Sequence, residues 1–165
     1  MKPNTTILVT IHGSHLYGLN HSNSDLDIFR VVASRRKPLV RVKGGFDIQT
    51  FGLDNFLSNV YSGSHQSCEA LFSPQKYVQP DYEAYFNNIR VTGYEAFAKY
   101  RRTIHAFSYG NTKQRRHAVR LGYSLAGLKE SGRFNPVLTE DQRRMCLMLP
   151  HLYSGQSLFD IAINL

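Results

Sequence analysis

Short apolar runs separated by glycine, asparagine and serine occupy residues 5–52, and each run has the length of a β-strand. β-Branched side chains are frequent there, as is typical of strands. Turn residues separate the later runs and predict turns at residues 35–38 and at Gly44 and Gly45. The pattern predicts strands at residues 7–11, 25–33, 39–43 and 46–51.

From Leu53 onward the apolar residues recur at the spacing of an α-helix. Asp54 is predicted to cap the first helix and Asn111-Thr112 a longer one, because side chains of these types can accept a hydrogen bond from a free backbone N–H group. Helices are predicted at residues 54–61, 67–72, 80–88, 94–107, 112–129, 139–149 and 157–164. The predicted fold class is therefore α+β, with a small mixed β-sheet at the N-terminal end packed with a C-terminal helical half.

Composition limits the classes of protein to which the chain can belong. Its 165 residues are the size of one domain, and 42% of them are apolar, which is enough for a globular core. Because 20 lysines and arginines stand against 12 acidic residues, the net charge is +8, which favours a polyanionic partner such as a nucleic acid or a nucleotide. The chain has no run of about 18 apolar residues, so a membrane-spanning helix is excluded.

The N-terminus and the cysteines indicate a cytoplasmic location. The first residues carry one basic side chain and an apolar stretch that is too short for a signal peptide. Cys68 and Cys146 are far apart and lie in unlike contexts, which argues against a disulfide framework and against a cysteine zinc site. We therefore expect a protein of the reducing cytoplasm that does not associate with a membrane.

Three acidic residues stand out by their positions in predicted strands. Asp25 and Asp27 lie at the head of an apolar strand, and side chains two residues apart project from the same face. Two carboxylates so close repel each other unless a cation lies between them. Asp47 alternates with Phe46 and Ile48, so it completes a three-carboxylate site if its strand pairs beside that of Asp25. Such oxygen ligands suit Mg²⁺ or Mn²⁺, although most isolated Asp-x-Asp pairs are surface or capping residues.

A glycine and a serine, Gly13 and Ser14, follow the first predicted strand. Where a strand ends in this pair and a short helix begins, free backbone N–H groups and a hydroxyl are available to an anion. A glycine also lets a phosphate approach the backbone closely. The pair alone is usually only a turn, but its position shortly before the Asp-x-Asp strand makes it specific.

Residues 11–32, IHGSHLYGLNHSNSDLDIFRVV, resemble the signature of the DNA polymerase β-like nucleotidyltransferase superfamily. The small predicted nucleotidyltransferases of that superfamily share the pattern G-S-x-x-Y-G followed by S-D-x-D, which here begins at Gly13 and ends at Asp27. The resemblance covers about residues 6–135. Beyond the first motif it continues, more faintly towards the end, at Asp47-Ile48, residues 53–57 (LDNFL), residues 69–74 (EALFSP), and Lys113, His117 and Arg120.

The resemblance implies a polymerase β-like palm in residues 1–75, which would be the nucleotidyltransferase catalytic core. Residues 76–165 would be a helical region that completes the cleft. By the same resemblance, two Mg²⁺ ions, or Mn²⁺, would be held by Asp25, Asp27 and Asp47. The third of these carboxylates would also help to deprotonate the attacking hydroxyl.

The implied donor is an NTP, by default ATP, whose triphosphate Gly13 and Ser14 would grip. An acceptor hydroxyl would attack the α-phosphate and release pyrophosphate, so the protein's work would be positioning and charge neutralisation. The acceptor would be an RNA end or another polyanion, a protein hydroxyl, or a small molecule. The resemblance does not choose among these three.

A basic face is predicted on the longest helix, which carries several basic residues and no acidic one. Lys113, His117 and Arg120 share one side of this helix beside its apolar stripe. They predict a cationic row that leans over the edge of a cleft and meets phosphates there. Arg115 and Arg116 are predicted to be solvated instead.

Other residues near these motifs are given structural roles. Tyr17 is predicted to pack beneath the glycine-serine loop rather than to stack on a base. The role of Glu69 is left open. Aromatic side chains at helical spacing are most often core, and this is the prediction for Tyr94, Phe97, Tyr100 and Phe107.

Two alternatives to an enzyme remain open at this point. The first is a non-catalytic nucleotide- or nucleic-acid-binding module on the same fold, against which the intact set of glycine, serine and three carboxylates argues. The second is a basic nucleic-acid-binding domain without nucleotide chemistry. That domain would bind RNA or DNA in a salt-dependent way, with no need for a metal or an NTP.

Overall fold

In the computed structural model, which describes residues 5–34 and 37–165, five strands form one mixed sheet. β1 is antiparallel to β2 and β5, whereas β4 is parallel to β2 and antiparallel to β3. The strands, in the spatial order β3-β4-β2-β1-β5, are β1 (Thr6–His12), β2 (Leu26–Val32), β3 (Leu39–Lys43), β4 (Phe46–Gly52) and β5 (Tyr77–Val78).

The four predicted strands are confirmed, and so is the turn at Gly44 and Gly45. The sequence does not predict β5, because two residues are too few to show an alternating pattern. Of the turn predicted at residues 35–38, Arg35 and Arg36 lie outside the described residues.

Eight helices occur among the residues that the structure describes. Asn111 caps α6 as predicted, by accepting a hydrogen bond from the backbone N–H of Gln114. The predicted cap of α2 is wrong, because Gly52 takes that position and Asp54 lies in the first turn. The helices are α1 (Ser14–Tyr17), α2 (Leu53–Tyr61), α3 (His65–Phe72), α4 (Pro80–Asn88), α5 (Tyr94–Ser108), α6 (Thr112–Ser131), α7 (Glu140–Leu152) and α8 (Gly155–Ala162).

One face of the sheet packs against helices. Phe29 of β2 is fully buried, and its ring stacks on that of Phe51 with centroids 4.7 Å apart. On the helix side, its ring centroid lies 5.8 Å from that of Phe56 in α2. Alternation along β2 places Asp27 on the same face as Phe29. The carboxylate therefore lies where the buried face of the sheet reaches its edge.

Helix α6 is central to the helical half, where it packs against α5, α7 and α8. Its predicted apolar stripe is buried, and it joins the same hydrophobic core as Ile7 and Phe29 of the sheet. The predicted α+β class is thus confirmed, with the sheet in the N-terminal half and most helices after it. None of the described helices is both long and apolar enough to cross a membrane.

Candidate functional site

A cavity of about 650 Å³ opens where β1 ends and where β2 and β4 begin. These three strand termini meet at one edge of the sheet because β1 is antiparallel to β2 and β4 is parallel to it. Residues of α3, α5 and α6 line the cavity from the helical side. All the site residues predicted from the sequence line it: Asp25, Asp27, Asp47, Gly13, Ser14, Lys113, His117 and Arg120.

The three carboxylates lie close together at this edge. Asp27 of β2 is aligned with Asp47 of β4 in the parallel register, so both project from the same face. Asp25 lies two residues before Asp27, just outside the strand. Partial burial raises the pKa of Asp27, and the charges of Asp47 and Asp25 raise it further against the opposing effects of His12 and Lys113. The carboxylates therefore repel each other within one cavity.

Gly13 leaves no room for a side chain between the backbone and Asp27. Its φ of 68° lies in the left-handed region, which glycine adopts without strain. A Cβ atom at this position would lie 2.0 Å from Oδ2 of Asp27. Glycine is thus required both by backbone conformation and by space, and it lets the carboxylate sit directly against the end of β1.

The donor atoms at this edge suit a hard divalent cation. Three carboxylates and the Ser14 hydroxyl offer oxygen, the ligand type that Mg²⁺ and Mn²⁺ prefer. Within residues 5–34 and 37–165, however, no three histidine, cysteine or acidic side chains form a ready-made metal site. Mg²⁺ usually binds one or two carboxylates together with water and substrate phosphates. The chemistry of these residues therefore fits an ion that binds together with a phosphate-bearing ligand.

A buried network centred on Glu69 of α3 lies at the base of the cavity. The side chain of Glu69 is fully buried, and its carboxylate accepts hydrogen bonds from the guanidinium of Arg120 and the hydroxyl of Tyr17. Nε2 of His12 lies 3.2 Å from its Oε2. Burial alone would raise the pKa of Glu69, but Arg120 and the nearby imidazoles of His12 and His65 outweigh it and hold that pKa well below its usual range.

This network gives Arg120 a role that its sequence position does not show. Arg120 was expected to face a phosphate, yet it is 2% exposed and its guanidinium is bound to Glu69. The guanidinium carbon also lies 3.7 Å from the centre of the Tyr17 ring. Tyr17 packs beneath the loop as predicted. Arg120 therefore ties α6 to α3 and to the helix that follows Gly13.

The predicted cationic row is also wrong at its middle residue, His117. Burial and the charge of Arg120 lower the pKa of His117 to about 4, so its imidazole is neutral at pH 7. Lys113 is exposed and lines the cavity, as expected for a residue of the cationic row. Arg116, which was expected to be solvated, lines the cavity, and its buried Nε has no hydrogen-bond partner among the described residues. Among the described residues that line the cavity, Lys113 and Arg116 are thus the cations that remain available.

We expect His117 to remain uncharged in solution well below pH 6. The cause is its burial beside Arg120, which disfavours a second positive charge. Histidine side-chain NMR signals followed from pH 8 to pH 4.5 test this, with the His117→Gln spectrum identifying the resonance. A His117 midpoint between pH 6 and pH 7 would contradict the expectation and would restore the predicted cationic row.

On the helical side of the cavity, three further residues were not assigned to the site from the sequence. His65 and Gln66 of α3 and Phe107 of α5 all line it. Of the four aromatic residues predicted to be core, Tyr100 is buried and Phe97 and Phe107 pack partly against the hydrophobic core. The prediction is wrong for Tyr94, which is 85% exposed. The position of the Phe107 ring at the end of α5, close to α6, is a tertiary feature that helical spacing does not reveal. His65 carries no motif that distinguishes it from other histidines.

No protein-family model matches the chain, and no curated protein matches it significantly. The assignment of a function therefore depends on the residues of the cavity.

Proposed function

We propose that the protein is a metal-dependent nucleotidyltransferase that moves an NMP from an NTP to an acceptor hydroxyl. The observation that carries the proposal is the convergence of residues from three separate parts of the chain on one cavity. Asp25, Asp27 and Asp47 crowd one edge of it, and Lys113 and Arg116 supply positive charge from α6. Crowded carboxylates beside separate cations suit a ligand that brings both metal ions and phosphates.

Each group in the cavity has a separate task in this proposal. Gly13 and Ser14 lie beside the triphosphate, and the absence of a side chain at Gly13 lets the Asp27 carboxylate sit against the end of β1. Lys113 and Arg116 contact the non-transferred phosphates, and their charge stabilises the departing pyrophosphate. Asp25 and Asp27 would hold the metal ions. When bound, Mg²⁺ neutralises phosphate charge and lowers the pKa of an oxygen bound to it.

The reaction is an in-line displacement at the α-phosphorus. A bond forms between the acceptor oxygen and the α-phosphorus, and the bond from that phosphorus to the bridging oxygen breaks. The bridging oxygen leaves as part of pyrophosphate with the bonding electron pair. The acceptor's proton passes to Asp47, directly or through water, because Asp47 is aligned with Asp27 and faces the cavity.

The proposed acceptor is a polyanion, and the proposed compartment is the cytoplasm. The net charge of +8 favours an RNA end or another polyanion over a neutral small molecule. By default ATP is the donor. Cys68 and Cys146 are both buried as free thiols, which suits the reducing cytoplasm in which we place the reaction.

Thermal unfolding with each of the four NTPs, in Mg²⁺ and in EDTA, tests the proposal. A ligand at about 100 times its dissociation constant adds about 2.7 kcal/mol to folding. For a chain of this size that free energy raises the melting temperature by roughly 5–10 °C. We expect such a rise with Mg²⁺ and at least one NTP, no rise in EDTA, and loss of the rise in Asp27→Asn. Transfer of a labelled α-phosphate to candidate acceptors then measures the reaction itself.

Asp81→Asn is the matched control, because Asp81 is an exposed carboxylate in the first turn of α4, away from the cavity. It should keep the full metal-dependent rise. An Asp27→Asn protein that responds to NTP and Mg²⁺ as the wild type does would contradict the proposal. NTP binding without transfer to any acceptor would favour a non-catalytic module on this fold.

A further inference from the structure

The helical side of the cavity carries a row of aromatic rings. We call it the aromatic wall, and it consists of Tyr17, His65, Phe107 and His117. The ring centroids of His65 and Phe107 are 6.2 Å apart, and those of Phe107 and His117 are 5.9 Å apart. Tyr17 and His117 follow at 6.3 Å. The wall is therefore continuous from the helix after β1 to the end of α5.

The rings of the wall are uncharged at neutral pH, unlike the carboxylates and cations that line other parts of the cavity. Burial lowers the pKa values of His65 and His117, and the charge of Arg120 lowers both further against the opposing charge of Glu69. Gln66 lies next to His65 in the sequence and also lines the cavity, where its amide can both donate and accept hydrogen bonds. Neutral aromatic rings beside an amide suit a planar heterocycle and give little attraction to a phosphate.

We propose that the aromatic wall binds a nucleobase, with Phe107 as the stacking residue. The inference rests on the nucleotidyltransferase function proposed above and adds the residues that recognise the base. The phosphates lie between the carboxylates of the sheet edge and the two cations of α6, Lys113 and Arg116, and the base lies against the aromatic wall. A cavity of about 650 Å³ is within the range of about 300–1,000 Å³ that small-molecule sites occupy.

The base that stacks on Phe107 belongs either to the donor NTP or to the end of an RNA acceptor. Both present the same planar face to the wall, so the stacking chemistry is the same. Tripolyphosphate carries the charge of the donor without a base, and it therefore separates contacts to phosphate from contacts to the base. A short single-stranded RNA tests the acceptor as the source.

The experiment measures dissociation constants in Mg²⁺ for the preferred NTP, for tripolyphosphate and for a short single-stranded RNA. In Phe107→Ala we expect the constant for the base-bearing ligand to rise about 5- to 150-fold, the range that loss of one base–aromatic stack gives. Tripolyphosphate binding should stay unchanged. A loss with the NTP identifies the donor base, and a loss with RNA alone identifies the acceptor base.

Two further variants keep the test valid if Phe107→Ala is poorly folded. Phe107→Leu preserves most of the apolar volume that packs against the core but lacks a flat ring, and it should show the same selective loss. Tyr94→Ala removes an aromatic ring from the same helix at a position that is 85% exposed, and it should bind every ligand as the wild type does.

The proposal is overturned if Phe107→Leu binds both the NTP and RNA with wild-type affinity. It is also overturned if the variant loses tripolyphosphate as strongly as it loses the NTP. These results are separate from a failure of the proposed function, in which Asp27→Asn would keep the metal-dependent binding of the wild type. A wild-type protein that binds neither the NTP nor RNA overturns both proposals.

Discussion

Replacing Gly13 by alanine is expected to abolish metal-dependent NTP binding. The added Cβ would lie 2.0 Å from Oδ2 of Asp27, a distance that no packed structure tolerates, so the carboxylate or the end of β1 must move. The φ of 68° adds strain of about 1–3 kcal/mol for any residue with a side chain. Displacement of Asp27 affects the metal and the triphosphate together. The thermal shift with NTP and Mg²⁺ should therefore disappear, and the melting temperature of the free protein should fall.

Gly44→Ala separates the two causes of this expected loss. Gly44 has a φ of 59°, close to that of Gly13, but a Cβ atom there meets nothing within 4 Å. Its alanine variant also places a side chain at a positive φ, so it should lose stability from backbone strain and keep full NTP binding. If Gly13→Ala binds NTP as Gly44→Ala does, Asp27 does not need its place against the backbone, and the proposed geometry of the site is wrong.

Much of the sheet edge could be predicted because its signals are local. Alternation within one strand is enough to place Asp25 and Asp27 on one face, and the order of strand and turn residues predicts Gly13 and Ser14 at a strand end. Asp47 needed one more condition, the pairing of its strand beside β2. The structure supplies it, with Asp27 and Asp47 aligned in a parallel register. The pairing of β2 with β4 joins segments that are distant in the chain, and local patterns in one sequence do not show that they meet.

The helical side was predicted less well for a physical reason. Helical spacing shows which residues of α6 share a face, but it does not show how deep each one lies. Arg120 lies two turns after Lys113 on α6. Its side chain contacts Glu69, which is 51 residues earlier in the chain. Arg116 lies near the boundary between the cavity and solvent. A small rotation of the helix decides whether a long side chain reaches the cavity or the solvent. The spacing of residues in the sequence does not predict that rotation.

The second large effect is expected when the buried ion pair between Arg120 and Glu69 is broken. Arg120→Met leaves the fully buried carboxylate of Glu69 without its cation. Removing one partner of a buried pair costs about 3–5 kcal/mol. For a chain of this size that is a fall in melting temperature of roughly 6–20 °C. Glu140→Gln is the control, because Glu140 is 79% exposed in its pair with Arg143 and should change stability by less than about 1 kcal/mol.

A double variant tests whether this cost comes from the unpaired charge. Arg120→Met combined with Glu69→Gln removes the charge but keeps an amide oxygen that can accept the hydrogen bond of Tyr17. It should be more stable than Arg120→Met alone, and the two single losses should not add. If the double variant loses, relative to the wild type, the full sum of the two single losses, the network is held by packing and not by the pairing of charges.

The ion pair of Glu69 and Arg120 also makes the stability of the protein depend on pH in acid. Glu69 is ionised in the folded protein at a pH where a free glutamate, with a pKa of about 4.3, takes up a proton. Because the folded state binds fewer protons there, the stability from Glu69 is complete above about pH 5 and falls as the pH decreases towards its lower folded pKa. The difference in unfolding free energy between wild type and Glu69→Gln should shrink over that range. A difference that stays constant from pH 7 to pH 3 would mean that Arg120 does not hold Glu69 in its charged form.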